Sequence, residues 1–140
     1  MRKSAENIDT LCGHFGAITV PRDHRELEVW RKAHKLALDI YSVTKNFPKD
    51  ELYGLTSQLR RAAVAITTNL AEGAARRSTK EYIQFCYIAR GSASEVDSLL
   101  LLTKDLRIMP SEDFDRLSFN RDEISRMLTG MIKALQRAKD

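Results

Sequence analysis

The run Leu52-Tyr53-Gly54-Leu55-Thr56-Ser57-Gln58-Leu59-Arg60-Arg61-Ala62-Ala63-Val64-Ala65-Ile66-Thr67-Thr68-Asn69-Leu70-Ala71-Glu72-Gly73 decides the fold. Leu52, Leu55, Leu59, Ala62, Ala63, Ile66 and Leu70 recur at three- and four-residue steps, which places them along one face of a helix. The opposite face presents Gly54, Ser57, Arg61, Ala65, Thr68 and Glu72, most of them small. An apolar stripe of this length is driven out of water, so its partners must come from the sequence on either side.

Upstream, Leu27, Trp30, His34, Ala37, Leu38, Tyr41 and Thr44 follow the same period, with Glu28, Arg31, Lys32, Lys35 and Asp39 between them. Phe47-Pro48 ends that helix, because a residue before proline is pushed out of helical geometry and proline has no backbone donor. Asp50 is the expected cap of the helix that follows. Downstream, Ser78-Thr79-Lys80-Glu81 reads as a capping box that starts a third helix. Its stripe is Tyr82, Phe85, Cys86, Ala89, Ala93, Val96, Leu99, Leu100, Thr103 and Leu106, and Met109-Pro110 breaks it. A fourth helix begins near Ser111, with Glu112, Asp113 and Asp115 at the positive end of its dipole and Phe114, Leu117, Ile124, Met127, Leu128, Met131 and Leu135 facing inward. Short connections between long helices favour antiparallel neighbours, so the expected fold is all-α, an up-down-up-down four-helix bundle over residues 25–138. Residues 1–24, with Gly13, Gly16 and Pro21 and no sustained period, read as a loosely ordered extension.

Composition agrees. A chain of 140 residues, 43% apolar, buries one core. An aromatic share of 7% and three prolines argue against a strand-rich sandwich. The longest aliphatic run, Leu99 to Leu102, is far short of the roughly 18 to 20 residues needed to cross a bilayer. The amino terminus lacks the apolar core of a secretory signal. Cys12 and Cys86 do not form a paired motif. A cytoplasmic location, without membrane attachment, is expected.

The chemistry of a metal or catalytic site is not expected either. Di-iron bundles use Glu-x-x-His pairs, yet Leu11, Pro21 and Arg31 stand three residues before His14, His24 and His34. His34 reads as a core or boundary histidine, and Cys86, inside an apolar stripe, as a small inert hydrophobe. Glu72 is a lone carboxylate, better suited to a salt bridge than to general-base work. With no glycine-rich phosphate loop in the sequence, neither an enzyme, a cofactor nor a metal is expected.

The formal net charge is +4, from 23 basic and 19 acidic side chains. Between Tyr53 and Ser94 stand Arg60, Arg61, Arg76, Arg77, Lys80 and Arg90 against Glu72 and Glu81, leaving 17 of each sign elsewhere. The whole excess therefore falls on one hairpin. Arginine forks suit phosphate contacts, and they equally suit salt bridges within or between subunits. The same hairpin carries Gly91-Ser92-Ala93-Ser94 in mid-helix, where glycine costs roughly 1 kcal/mol relative to alanine unless a close approach offsets it. The small residues Gly54, Ser57, Ala65, Thr68, Gly91 and Ser94, with Arg61 and Glu72, outline an expected assembly face.

The strings Leu27-Glu28-Val29-Trp30-Arg31-Lys32-Ala33, Tyr53 to Val64, Asn69-Leu70-Ala71-Glu72-Gly73 and Ala89-Arg90-Gly91-Ser92-Ala93-Ser94-Glu95 resemble the bacterial four-helix-bundle family of 23S rRNA-intervening-sequence proteins. The resemblance spans about residues 26–135. It implies an antiparallel helical protomer, pentameric rings, and kinship with the accessory variability proteins of diversity-generating retroelements, which bind nucleic acid through a basic surface and associate with a reverse transcriptase. Arg60, Arg61, Asn69, Glu72, Gly73, Arg90, Gly91 and Glu95 match family-typical residues, and Thr67 stands where the family often has proline, which implies a more continuous second helix. The resulting expectation is a non-enzymatic homopentamer that binds RNA or DNA with low sequence specificity through Arg60, Arg61, Arg76, Arg77, Lys80 and Arg90. The alternative is a scaffold whose faces serve self-assembly and a protein partner such as a reverse transcriptase.

Overall fold

The computed structural model describes residues 20–139. Four helices form it: α1 (Glu28–Thr44), α2 (Ser57–Ala75), α3 (Thr79–Asp105) and α4 (Ser111–Lys139). Each packs on its neighbours in sequence, and α1 closes the square against α4, which is the up-down-up-down arrangement. Leu36, Ile40, Leu59, Ile66, Leu70, Tyr82, Val96, Leu100, Leu117, Ile124 and Leu128 are fully buried along its axis. No described helix is long and apolar enough to cross a membrane. Of the expected extension, residues 1–19 lie outside the described residues.

The buried stripes of α2, α3 and α4 follow the sequence period closely; that of α1 does not. Its inward line is Val29, Ala33, Leu36, Ala37, Ile40, Val43 and Thr44, while His34, Leu38 and Tyr41 are exposed. Two apolar lines run side by side on this helix, and the purely aliphatic one faces the core, since an imidazole or a phenol keeps its polar end wet only by facing outward. His34 is thus no core residue: its ring stacks on Trp30 at 4.8 Å, and His24 meets the same indole edge-on at 4.8 Å.

The start of α2 also differs. A 3-10 turn, Lys49–Glu51, leads into a π-helical turn, Leu52–Thr56, broken at Gly54 by non-helical backbone. Glu51, rather than Asp50, supplies the cap, its Oε1 accepting from the Leu55 amide at 3.0 Å. A Cβ at 54 would meet that same oxygen at 2.7 Å, so a larger residue there would displace the Glu51 cap. The interruption shifts the helical register, which is why Leu52 is exposed while Leu55 and Leu59 are buried. Past Thr67, α2 runs unbroken to Ala75.

Only half of the capping box at α3 forms. The Ser78 hydroxyl accepts from the Glu81 amide at 3.1 Å, but the Glu81 carboxylate takes the serine proton instead of a backbone donor. The helix ends at Asp105, before Met109-Pro110, through a left-handed cap: Arg107 donates to the Lys104 carbonyl and Ile108 to that of Thr103. Arg107 adopts φ 59°, a conformation that costs a residue with a Cβ about 1 kcal/mol. Arg107→Gly is expected to stabilise the bundle by about 0.5–1 kcal/mol, read as a rise of a few degrees in thermal midpoint; an unchanged or lower midpoint contradicts the cap.

Candidate functional site

The sequence gathers six cations on one hairpin, and the bundle divides them among three places. Arg60, on the side of α2 that faces α1, is spent inside the chain. Its Nε donates to Thr44 Oγ1 at 2.8 Å, its guanidinium lies 4.5 Å from the Tyr41 ring centre, and its charge sits at the carbonyl end of α1. Arg90 faces the other way, donating to Thr129 Oγ1 of α4 at 3.1 Å and covering the Tyr87 ring. Arg76, Arg77 and Lys80 gather at the α2–α3 turn, roughly 20 Å along α2 from Arg61 at 1.5 Å per residue.

Arg76 alone among the six forms an ion pair among the described residues, with Glu72 at 2.7 Å, and it also covers the Phe85 ring. Arg61, Arg77 and Lys80 are exposed and have no carboxylate partner among the described residues. Arg22 joins them from before α1, anchored by its Nη1 on the Arg76 carbonyl at 2.7 Å and lying over the Tyr82 ring. The Tyr82 hydroxyl donates to the Pro21 carbonyl at 2.9 Å, and Val20 is buried, so this short lead-in is fastened to the turn. Burial pushes the Tyr82 phenol well above its ordinary pKa of 10.0, against the opposing pull of Arg22.

The small-residue positions fall on more than one surface. Ala65, Thr68 and Glu72 lie on the outward side of α2 nearest α3. Gly91 lies outermost on α3, where a Cβ would meet nothing within 4 Å, so none of the described residues uses the room that it leaves. Ser94, four residues after Arg90, is turned toward α4. Gly54 gives no open surface, its space being held by Glu51, and Glu72 is occupied by Arg76. Gly73 serves packing inside the bundle: a Cβ there would stand 2.8 Å from Phe85 Cβ and 3.1 Å from Tyr82 Cδ1.

A groove of about 500 Å³ that the sequence did not reveal opens between the end of α1 and the start of α2. Tyr41, Leu52, Tyr53, Ser57, Arg60, Arg61 and Val64 line it with Thr56, and none of these is acidic. The Tyr53 side chain is 91% exposed. The sequence period assigns Tyr41 and Leu52 to buried stripes; the aromatic line of α1 and the broken register at Gly54 turn them outward together. Cys86 is buried in α3, its thiol pushed up to about 12 by desolvation, so it is not poised as a nucleophile. Among the described residues no group of three or more His, Cys, Asp or Glu is placed to hold a metal.

No curated protein matches the chain. A solved structure, a protein with unknown function from the S23 ribosomal protein family of Bacteroides thetaiotaomicron, matches with a TM-score of 0.68 at 23% identity, over 75% of this chain and 98% of that one. At that identity the likeness carries the fold. The family model described as 23S rRNA-intervening sequence protein matches residues 25–130, the span that holds α1, α2, α3, most of α4 and the quoted motifs. The chain belongs to the 23S rRNA-intervening sequence protein family.

Proposed function

We propose that this protein is a non-enzymatic, homo-oligomeric nucleic-acid-binding protein that holds RNA or DNA with low sequence specificity by phosphate contacts from the α2–α3 turn. One observation carries the reading: the exposed cations Arg77 and Lys80, beside Arg22, have no carboxylate partner among the described residues. Cations already committed to internal salt bridges would have little left for phosphate; these are uncommitted. One turn is a weak site, and a ring of copies, five in the form that the family resemblance implies, multiplies it into a multivalent one. Ala65 and Thr68 on α2 and Gly91 on α3 supply small positions for close approach between copies. The turn lies far from the α3–α4 connection, so copies can meet side by side without covering it.

The test is a salt-dependent titration of fluorescein-labelled RNA and DNA. Wild type is expected to bind at low salt, with log K falling by roughly 0.7 to 0.9 per contacted phosphate per log unit of salt. Arg77→Glu with Lys80→Glu is expected to weaken binding at least tenfold and flatten that slope, while light scattering gives an unchanged assembly mass. Absence of binding by wild type at low salt removes the reading. A second reading, a scaffold for a protein partner such as a reverse transcriptase, is favoured by the exposed Leu101, Leu102, Leu106 and Phe119 at the opposite end of the bundle. A wild-type chain that assembles but binds neither RNA nor DNA at low salt would point there.

A further inference from the structure

The groove between α1 and α2 combines three things that a solvent-facing helix pair does not need. Its Tyr53 ring is almost wholly bare at 91% exposure, beside a half-exposed Leu52. One guanidinium, Arg60, lies over the Tyr41 ring and is fixed by the Thr44 hydroxyl, so little entropy remains to be lost when a ligand settles against that side. A second, Arg61, reaches solvent with no carboxylate partner among the described residues, and no acidic residue lines the cavity.

Each feature restricts the occupant. The exposed guanidinium of Arg61, with no acidic residue lining the groove among the described residues, selects an anion. Exposed phenol rings select a ligand with flat apolar faces of its own. A volume of about 500 Å³ admits a nucleotide-sized group, in the range of small-molecule sites generally. A duplex satisfies the charge requirement but keeps its bases stacked and paired inside, whereas a single strand offers phosphate and unstacked base together.

We infer that this groove is a single-strand pocket, in which Tyr53 stacks on an unpaired base while Arg61 contacts the adjoining phosphate. It rests on the nucleic-acid reading above and narrows its substrate class from any RNA or DNA to unpaired strands. Arg60 is a positioning residue: it holds the Tyr41 side of the groove and fastens α1 to α2. Because the pocket and the α2–α3 turn are separated by roughly 20 Å along α2, a strand must be several nucleotides long to engage both.

The experiment compares labelled rU20 and dT20 with a hairpin duplex of equal charge, using the full chain and its Tyr53→Ala, Tyr53→Phe and Arg61→Ala variants. The wild type is expected to prefer the single strands. Tyr53→Ala is expected to weaken single-strand binding roughly 5- to 100-fold, with Tyr53→Phe close to wild type and duplex binding little changed. Cross-linking of 5-iodouracil-substituted rU20, with the modified peptide mapped by mass, is expected to label Tyr53. Single-strand binding that survives Tyr53→Ala but is lost in Arg77→Glu/Lys80→Glu overturns the pocket and leaves the broader reading standing. Equal affinity for duplex and single strand overturns it too, as does a fall in assembly mass on Tyr53→Ala, which would make the groove a seat for a second copy. Absence of any binding by wild type removes both.

Discussion

Replacing Gly73 with valine is expected to lower the stability of the bundle by about 3 kcal/mol, the upper part of the range for an overpacked core. Gly73 lies on α2 where that helix meets α3, and it is buried. The space for a Cβ there is taken by Phe85 Cβ at 2.8 Å and Tyr82 Cδ1 at 3.1 Å. Phe85 Cβ is rooted directly on the α3 backbone, so no side-chain rotation relieves the contact and the helices must part. Alanine is the more informative variant. In an unobstructed helix, Gly→Ala gains about 1 kcal/mol through propensity; here the gain is overtaken, and a net loss of about 1–2 kcal/mol is expected. Urea midpoints measure both. A Gly73→Ala chain more stable than wild type would show that α2 and α3 do not approach so closely. Gly91 and Gly130, where an added Cβ would meet nothing within 4 Å, supply the contrast: as unobstructed helix positions they should follow propensity.

The second large effect belongs to Tyr82, the largest fully buried side chain among the described residues. Tyr82→Ala is expected to cost about 3–5 kcal/mol, as for other large aromatic deletions from cores. Tyr82→Phe keeps the ring and removes only the hydrogen bond to the Pro21 carbonyl, for an expected loss of about 1 kcal/mol. The lead-in segment should then become more open to limited proteolysis near Val20 to Asp23. The pH dependence has a definite sign. Burial raises the folded-state pKa of the phenol above 10.0, so its contribution is complete below pH 10 and is lost as the pH climbs above 10 toward the folded value. The stability difference between wild type and Tyr82→Phe is expected to shrink across that range. A difference independent of pH from 9 to 11 would show that the hydroxyl is not buried.

Why some of this was legible in the sequence and some was not follows from particular residues. The apolar lines of α2, α3 and α4 lie opposite faces that are mostly small or polar, so only one face of each can turn inward. On α1 the aliphatic line through Leu36, Ile40 and Val43 runs beside the mixed line through His34, Leu38 and Tyr41, and spacing alone does not choose between them. The grouping of cations misleads in a different way. Arg60, Arg61, Arg76, Arg77, Lys80 and Arg90 are close in sequence, yet 3.6-residue periodicity and a long rise scatter them around and along two helices. The groove was hidden because it depends on a local loss of helical register at Gly54, and a non-helical φ, ψ pair in one glycine is not written in the periodicity that surrounds it.

The bundle has unlike ends. The α2–α3 turn carries Arg77 and Lys80 at one end, while Leu52, Tyr53, Leu101, Leu102 and Leu106 are exposed toward the other. In any cyclic assembly whose axis runs along the helices, every copy points the same way, so the α2–α3 turns form one rim and the grooves that hold Tyr53 lie toward the other. On the proposed reading, a strand that engages turn and groove together runs from rim to rim along one copy, so the capacity of the ring rises with the number of copies.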